Sequence, residues 1–252
     1  MKLSKGNVTF SYEEAEQKRR DAFIELYKNN PIPDNEVLRN LGLFIRRQDL
    51  SRILFMNDLY KKIINVHGVV AEFGVRWGQN LALFESFRGI YEPYNLTRKI
   101  IGFDTFEGFP SVHEKDGSSE NAFVGSMAVT EEYEKYLEQI LAYHETESPI
   151  SHIKKYDLVK GNAITKVEEY LAQHKETIIA FAYLDFDIYE PTKAVLHLIK
   201  DRLTKGSVIG FDELNCEGWP GETEALQEVF GLTKYRIERN KYSSSQSFIV
   251  IE

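Results

Sequence analysis

The sequence predicts an α/β fold whose mostly parallel sheet carries helices on both faces. Short apolar runs recur along the 252 residues, and stretches with apolar residues at helical spacing separate them. Several runs are apolar throughout rather than alternating, which is typical of parallel strands buried on both faces. Acidic residues follow four of the runs, and parallel sheets bind ligands beyond the carboxyl ends of their strands. The 42% hydrophobic content suits a globular protein with a core.

Two helices are predicted before the first strand. Residues 11–29 are highly charged with an approximate apolar stripe, and Pro31 and Pro33 end that helix. Residues 47–64 place leucines and isoleucines at helical spacings. We interpret residues 1–65 as an N-terminal helical cap of the same unit and residues 66–252 as the main domain.

The rest of the chain alternates between strands and helices. The strands are predicted at residues 69–74, 99–104, 152–159, 177–184 and 206–211. Helices are predicted at residues 79–89, 130–143, 163–174, 191–203 and 222–230, with Pro191 as a first helical residue. Residues 235–238 and 247–251 are predicted to close the sheet as an antiparallel pair.

Composition narrows the class of partner. A net charge of −8 and a pI near 5.4 argue against nucleic acid, which needs concentrated Lys and Arg. The single cysteine, Cys216, allows no intrachain disulfide and lies in no nucleophile motif. The segment Met1–Gly6 lacks the apolar stretch of a signal peptide, and no run approaches the roughly 20 residues that cross a bilayer. We therefore expect a cytoplasmic protein without membrane contact.

The first motif is an E-x-G-x-x-x-G turn that spans Glu72 to Gly78 between a predicted strand and a predicted helix. Gly74 and Gly78 let the backbone approach a ligand, and the following helix N-terminus offers N–H groups to a carboxylate. The spacing differs from the G-x-G-x-x-G turn that admits a dinucleotide pyrophosphate. Asp104, which ends the second strand, is placed to accept both ribose hydroxyls of an adenosine. A solvated strand end or a helix cap explains Asp104 equally well by itself, but the two motifs together favour ribose.

A second group of acids follows the fourth and fifth strands: Asp185, Asp187, Asp212 and Glu213. Carboxylates gathered in a cleft are costly without a cation, and their hard oxygens suit Mg²⁺. The alternative is that these acids only cap helices.

These motifs, in this order, resemble the macrocin O-methyltransferase family of class I S-adenosylmethionine-dependent enzymes. The matching segments are Arg47–Arg52, Tyr60–Ile63, Ala71–Gly78, Gly102–Pro110 and Leu184–Thr192. The resemblance covers most of residues 46–230. It implies a Rossmann-like class I methyltransferase fold with a seven-stranded sheet, and a homo-oligomer. It also implies a sugar hydroxyl as methyl acceptor, on a nucleotide-linked sugar or a glycosylated metabolite, in antibiotic or capsular polysaccharide biosynthesis.

The resemblance also implies roles for individual residues. The expected cofactor-binding residues are Glu72, Gly74, Gly78, Asn80, Asp104, Thr105, Phe106, Asn162 and Asp185. Mg²⁺ is expected on Asp185, Asp212 and Glu213, although the family pattern has aspartate at the last position. From the chemistry of methyl transfer, we hypothesise that Asp185 is also the general base and that Asp187 supports it, or replaces it if no metal binds. His113 in the segment after Pro110, predicted to form a lid, is a weaker candidate base.

Two other functions remain open on the sequence alone. A nicotinamide-dependent oxidoreductase on a similar sheet would need a G-x-G-x-x-G turn, which residues 74–78 lack. A non-catalytic homologue that keeps the cofactor pocket is disfavoured by the retained acids. The N-terminal helices and Tyr189 are further candidates for acceptor recognition, from their position alone.

Overall fold

The computed structural model describes residues 14–252 and contains one sheet of seven strands. In chain order these are β1 (Val69–Phe73), β2 (Ile100–Asp104), β3 (Tyr156–Lys160), β4 (Ile179–Leu184), β5 (Leu203–Phe211), β6 (Glu238–Arg239) and β7 (Ser247–Val250). The order in the sheet is β3-β2-β1-β4-β5-β7-β6. Strands β1 to β5 are parallel, whereas β7 runs antiparallel to β5 and to β6. The predicted α/β class and the seven-stranded, mostly parallel sheet are confirmed.

Eight α-helices surround the sheet in the described part of the chain. They are α1 (Glu14–Lys28), α2 (Asp34–Val37), α3 (Arg47–Ile63), α4 (Gln79–Tyr91), α5 (Tyr133–Thr146), α6 (Ala163–Gln173), α7 (Tyr189–Ile199) and α8 (Gly221–Val229). Short 3₁₀ segments cover Leu38–Leu43, Glu114–Asp116 and Lys200–Arg202. Residues 11–13 of the first predicted helix lie outside the described residues.

Two apolar layers hold the helices on the sheet. Helices α3, α4 and α5 pack on one face, where Leu59, Phe84 and Phe181 are among the buried residues. Helices α6, α7 and α8 pack on the other face, around residues such as Phe103 and Val195. Every residue of β4 is buried, which explains why that strand is the most apolar run of the sequence.

Several predicted boundaries are wrong. Strand β3 begins at Tyr156 rather than residue 152, and residue 203 belongs to β5 instead of the preceding helix. Helix α7 begins at Tyr189, so Pro191 is its third residue. The reason is Asp116, whose Oδ1 accepts a hydrogen bond from the Tyr189 main-chain N–H at 2.6 Å. That carboxylate accepts a hydrogen bond from the first N–H of the helix. Pro191 stands in the first turn, where main-chain N–H groups have no partner within the helix, so its missing N–H removes no helical hydrogen bond.

The N-terminal helices differ in how they pack. No residue from Glu14 to Leu54 is buried, whereas Phe55, Leu59 and Ile63 of α3 are buried in the first layer. Helix α3 therefore forms part of the main core, and the division at residue 65 stays a proposal. Within residues 14–252, no helix is both long enough and apolar enough to span a membrane.

Candidate active site

A cavity of about 490 Å³ opens at the carboxyl ends of β1, β2, β4 and β5. The strand order reverses between β1 and β4, which is the place where open α/β sheets bind ligands. The predicted site residues that line this cavity are Glu72, Gly74, Gly78, Asn80, Asp104, Thr105, Asn162, Asp185, Asp187, Asp212 and Glu213. With Asn162, which follows β3, the fold thus brings residues from the ends of five strands to one rim.

The glycines of the turn after β1 are required by close contacts. Gly74 has φ +92°, and a Cβ there would lie 2.0 Å from the main-chain oxygen of Asp185. Gly78 has φ +77°, and a Cβ there would overlap Leu137. No side chain caps α4, whose first residues line the cavity. Its first N–H groups can therefore bind an anionic group.

Asp104 braces this turn. Its Oδ2 accepts hydrogen bonds from the main-chain N–H groups of Val75 at 2.7 Å and Arg76 at 2.8 Å, and its Oδ1 accepts one from Phe106 at 2.5 Å. Burial raises the pKa of the Asp104 carboxyl, and the three N–H donors oppose that rise. A carboxylate has about four acceptor positions, so about one remains, on Oδ1. The role of Asp104 in accepting the ribose hydroxyls stays a prediction.

Phe106 does not line the cavity, contrary to its predicted role. Its ring is buried in the core layer beneath α4 and α5. Its main-chain N–H, held at φ +58°, is the part that serves the site, because it fixes Asp104. Asn162 lines the cavity and also caps α6, since its Oδ1 accepts a hydrogen bond from the Ile164 N–H at 3.0 Å.

Glu72 and Asn80 leave two buried acceptor atoms without partners. Asn80 Nδ2 donates to Glu72 Oε1 at 2.7 Å, but Glu72 Oε2 and Asn80 Oδ1 have no hydrogen bond. Burial raises the pKa of the Glu72 carboxyl well above its ordinary value. Unpaired buried polar atoms are rare in folded proteins. Their presence beside a cavity fits a ligand that supplies hydrogen-bond donors, such as the ammonium group of an amino acid.

Arg52 is the main site residue that the sequence reasoning missed. Its Nη2 donates to Asp185 Oδ2 at 2.5 Å and its Nη1 donates to Asp212 Oδ1 at 2.7 Å. The same Asp212 oxygen accepts hydrogen bonds from Tyr183 Oη at 2.5 Å and Gln246 Nε2 at 3.2 Å. Arg52 lies 133 positions before Asp185, so no local motif joins them. Its one sequence signal is its place in the segment Arg47–Arg52.

The carboxylates do not form the predicted Mg²⁺ site. Asp185 and Asp212 face the Arg52 guanidinium instead of a shared vacant centre. Across residues 14–252, no three His, Cys, Asp or Glu side chains are grouped so that they could hold a metal ion. The donor set expected from Asp185, Asp212 and Glu213 therefore does not fit a divalent cation in this arrangement.

The cavity is strongly acidic. Seven of its lining residues carry carboxylates, against two arginines, Arg52 and Arg76. Burial, followed by the charge of Asp212, raises the pKa of Asp185 to about 7 and that of Glu213 to about 7. Burial and the charge of Asp185 raise the pKa of Asp187 well above its ordinary value. Such a site favours a positively charged ligand.

Three other candidates have structural roles. His113 Nδ1 accepts a hydrogen bond from the Lys115 N–H at 3.1 Å, and Tyr189 Oη donates to Glu228 at 2.8 Å; neither residue lines the cavity. Burial raises the pKa of the Cys216 thiol, opposite to the shift of an activated nucleophile. Other lining residues that sequence reasoning did not assign are Asp49, Arg76, Trp77, Phe109 and Met127.

Comparisons with known proteins give matches among solved structures. CalS11, the calicheamicin methyltransferase, is 39% identical to this chain over 98% of each protein, with a TM-score of 0.92. The apo structure of CalS11, described as a TDP-rhamnose 3′-O-methyltransferase, matches over 96% of each chain with a TM-score of 0.82. NovP, an O-methyltransferase, has the same fold, at 18% identity over 80% of this chain and 79% of its own, with a TM-score of 0.57. No protein-family model and no curated protein matches the chain.

The near full-length match to CalS11 decides between the functions that the sequence left open. It favours a methyltransferase over a nicotinamide-dependent oxidoreductase and an enzyme over a non-catalytic homologue. The acidic cavity, the glycine turn and the sheet order agree with that choice. This chain therefore belongs to the macrocin-type family of class I, S-adenosylmethionine-dependent sugar O-methyltransferases.

Proposed function

We propose that this enzyme methylates a hydroxyl of a nucleotide-linked sugar. The observation that carries the proposal is the 39% identity, over 98% of both chains, to a TDP-rhamnose 3′-O-methyltransferase. The cavity supports it, because about 490 Å³ lies within the range of small-molecule sites. A glycosylated metabolite and a precursor of a capsular polysaccharide are the competing acceptors.

The residues of the cavity suit S-adenosylmethionine. The turn with Gly74 and Gly78 would admit its methionine moiety, with the carboxylate at the N-terminus of α4. The unpaired oxygens of Glu72 and Asn80 would accept hydrogen bonds from the ammonium group, which would ionise Glu72. Asp104, Thr105 and Asn162 would border the adenosine. When bound, the cofactor supplies a methyl group on a positively charged sulfonium, which the acidic wall favours.

Asp185 is the proposed general base. It directly follows β4 and lines the cavity, and Arg52 fixes the orientation of its carboxylate. In the reaction the bond between acceptor oxygen and methyl carbon forms as the bond between sulfur and methyl carbon breaks. Asp185 would take the hydroxyl proton, and its pKa of about 7 suits a general base at neutral pH. Asp187, which is also in the cavity, would support Asp185 or replace it as the base. Mg²⁺ is not part of this proposal, because Arg52 takes its place between the acids.

An acceptor screen tests the substrate class. The purified enzyme would be incubated with methyl-labelled S-adenosylmethionine and TDP-rhamnose, other nucleotide-linked sugars, free rhamnose or sugar-free TDP. We expect label on nucleotide-linked sugars and none on the two fragments. Transfer to a glycosylated metabolite, with none to any nucleotide-linked sugar, would refute the proposal.

A matched pair of variants tests the base. Asp185→Asn should lower turnover by about 10²- to 10⁴-fold, because proton removal is lost, and should keep the affinity for S-adenosylhomocysteine. The control is Asp201→Asn, an exposed acid that precedes β5 at the opposite end of the sheet. Turnover by Asp185→Asn equal to that of the control would exclude Asp185 as base.

We also propose that a second copy of the chain covers the N-terminal arm, residues 14–54. No residue there is buried, and the large apolar side chains of Leu26, Leu38 and Leu43 are each more than 60% exposed. Several large apolar side chains exposed on one segment favour an interaction surface there, and most soluble oligomers join identical chains. Light scattering should show an oligomer that Asp substitutions at these three leucines dissociate; a monomeric wild type would disprove it. Cytoplasmic location and the absence of a nucleic-acid partner stay predictions from composition.

A further inference from the structure

The Arg52 guanidinium joins the ends of two central strands. Each of its two terminal nitrogens donates to a different carboxylate, Asp185 after β4 and Asp212 after β5. Charge-assisted bonds from one planar fork are strong and directional, and a lysine cannot reproduce them. The guanidinium therefore bridges the two acids and balances part of their charge.

Buried neighbours hold this contact in place. Phe55, about one turn after Arg52 on α3, is buried, so the helix that carries the guanidinium is fixed. Asp212 Oδ1 accepts from Tyr183 and Gln246 as well as Arg52. Three donors converge on that oxygen, and the Arg52 guanidinium is the one among them that carries a positive charge.

We infer that Arg52 supplies the positive charge that a divalent cation would supply between these carboxylates, so that methyl transfer by this enzyme needs no metal ion. Arg52 is a positioning residue: it holds Asp185 in one orientation toward the cavity and offsets the charge of the pair. The inference rests on the proposed function for its activity measurements, whereas its metal-binding measurement is independent of any acceptor.

The test compares wild type with Arg52→Gln, Arg52→Lys and the control Arg47→Gln. Arg47 is exposed on the same helix and does not line the cavity. Each protein is dialysed against EDTA and then titrated with Mn²⁺ alone, with binding measured by electron paramagnetic resonance. Wild type and Arg47→Gln should bind no Mn²⁺ and keep full activity without metal. Arg52→Gln should lose activity by about 100-fold, as for other transition-state positioning groups, and should now bind Mn²⁺ through the freed acids.

Two controls keep the result interpretable. Affinity for S-adenosylhomocysteine shows that each variant is folded, and Arg52→Lys, which retains the charge, should recover part of the activity without binding Mn²⁺. A chelator-sensitive wild type that Mg²⁺ restores would overturn the inference. So would Mn²⁺ binding by wild type that Asp185→Asn removes, or an Arg52→Gln enzyme with wild-type activity. If no acceptor is methylated, the Mn²⁺ titration still decides, because only Arg52→Gln should bind.

Discussion

Gly74→Ala should disable the site by displacing Asp185. The added Cβ would lie 2.0 Å from the Asp185 main-chain oxygen, and ordinary contact begins at 3.4 Å, so the two must separate by 1.4 Å. A misplacement of about 1 Å at a catalytic group costs on the order of 100-fold in rate. The φ of +92° adds backbone strain of about 1–2 kcal/mol for a residue with a Cβ.

Gly89→Ala is the matched control. Gly89 lies within α4, and a Cβ there meets nothing within 4 Å. We expect it to raise the free energy of unfolding by about 0.5–1 kcal/mol and to leave activity unchanged. Methyl transfer and thermal unfolding would be measured for both variants. Wild-type turnover by Gly74→Ala would show that the turn after β1 does not position Asp185.

Burial and charge at the cavity lead to three more expectations. The pKa of Glu213 is about 7 in the folded enzyme and near 4.5 in the unfolded chain. Between pH 4.5 and pH 7 the unfolded chain therefore binds fewer protons than the folded enzyme. The free energy of unfolding falls as the pH rises through this range. Glu213→Gln should stabilise the ligand-free enzyme by about 1–2 kcal/mol at pH 8 and by little at pH 5. Equal unfolding temperatures of the wild type and the variant at pH 8 would contradict this. Because Asp185 must be ionised to act as base, kcat/KM for the acceptor should rise with pH to a plateau above about 7, and Arg52→Gln should move that rise to higher pH. A profile flat from pH 5 to 9 would exclude the assignment. Glu72→Gln should weaken S-adenosylmethionine binding by about 10- to 100-fold, since an ionic hydrogen bond is lost; calorimetry that finds an unchanged Kd would place the ammonium group elsewhere.

The positions of most site residues could be predicted because parallel strands end at one edge of a sheet. Glu72, Asp104, Asp185 and Asp212 each stand at or next to a strand end, and all four line one cavity. Roles were predicted less well than positions. Phe106 shares the motif of Asp104 but packs into the core, because its positive φ turns the main-chain N–H toward the carboxylate.

Two kinds of error have the same origin. Pro191 was misplaced within α7 because Asp116, far away in sequence, satisfies the first N–H of that helix. The Mg²⁺ prediction counted the acids but omitted Arg52, which reaches them from α3. In both cases a long-range partner supplies what the local sequence lacks.

The sequence alone determined the α/β class, the sheet with its closing antiparallel pair, and the residues at each strand end, since apolar periodicity and glycine turns are local properties. Only the tertiary structure decided what those residues face. Asp104 turns to three backbone N–H groups, and Asp185 and Asp212 turn to one guanidinium. Hydrogen-bond partners and the charge balance of a cavity depend on distances between segments that are remote along the chain, and packing sets those distances.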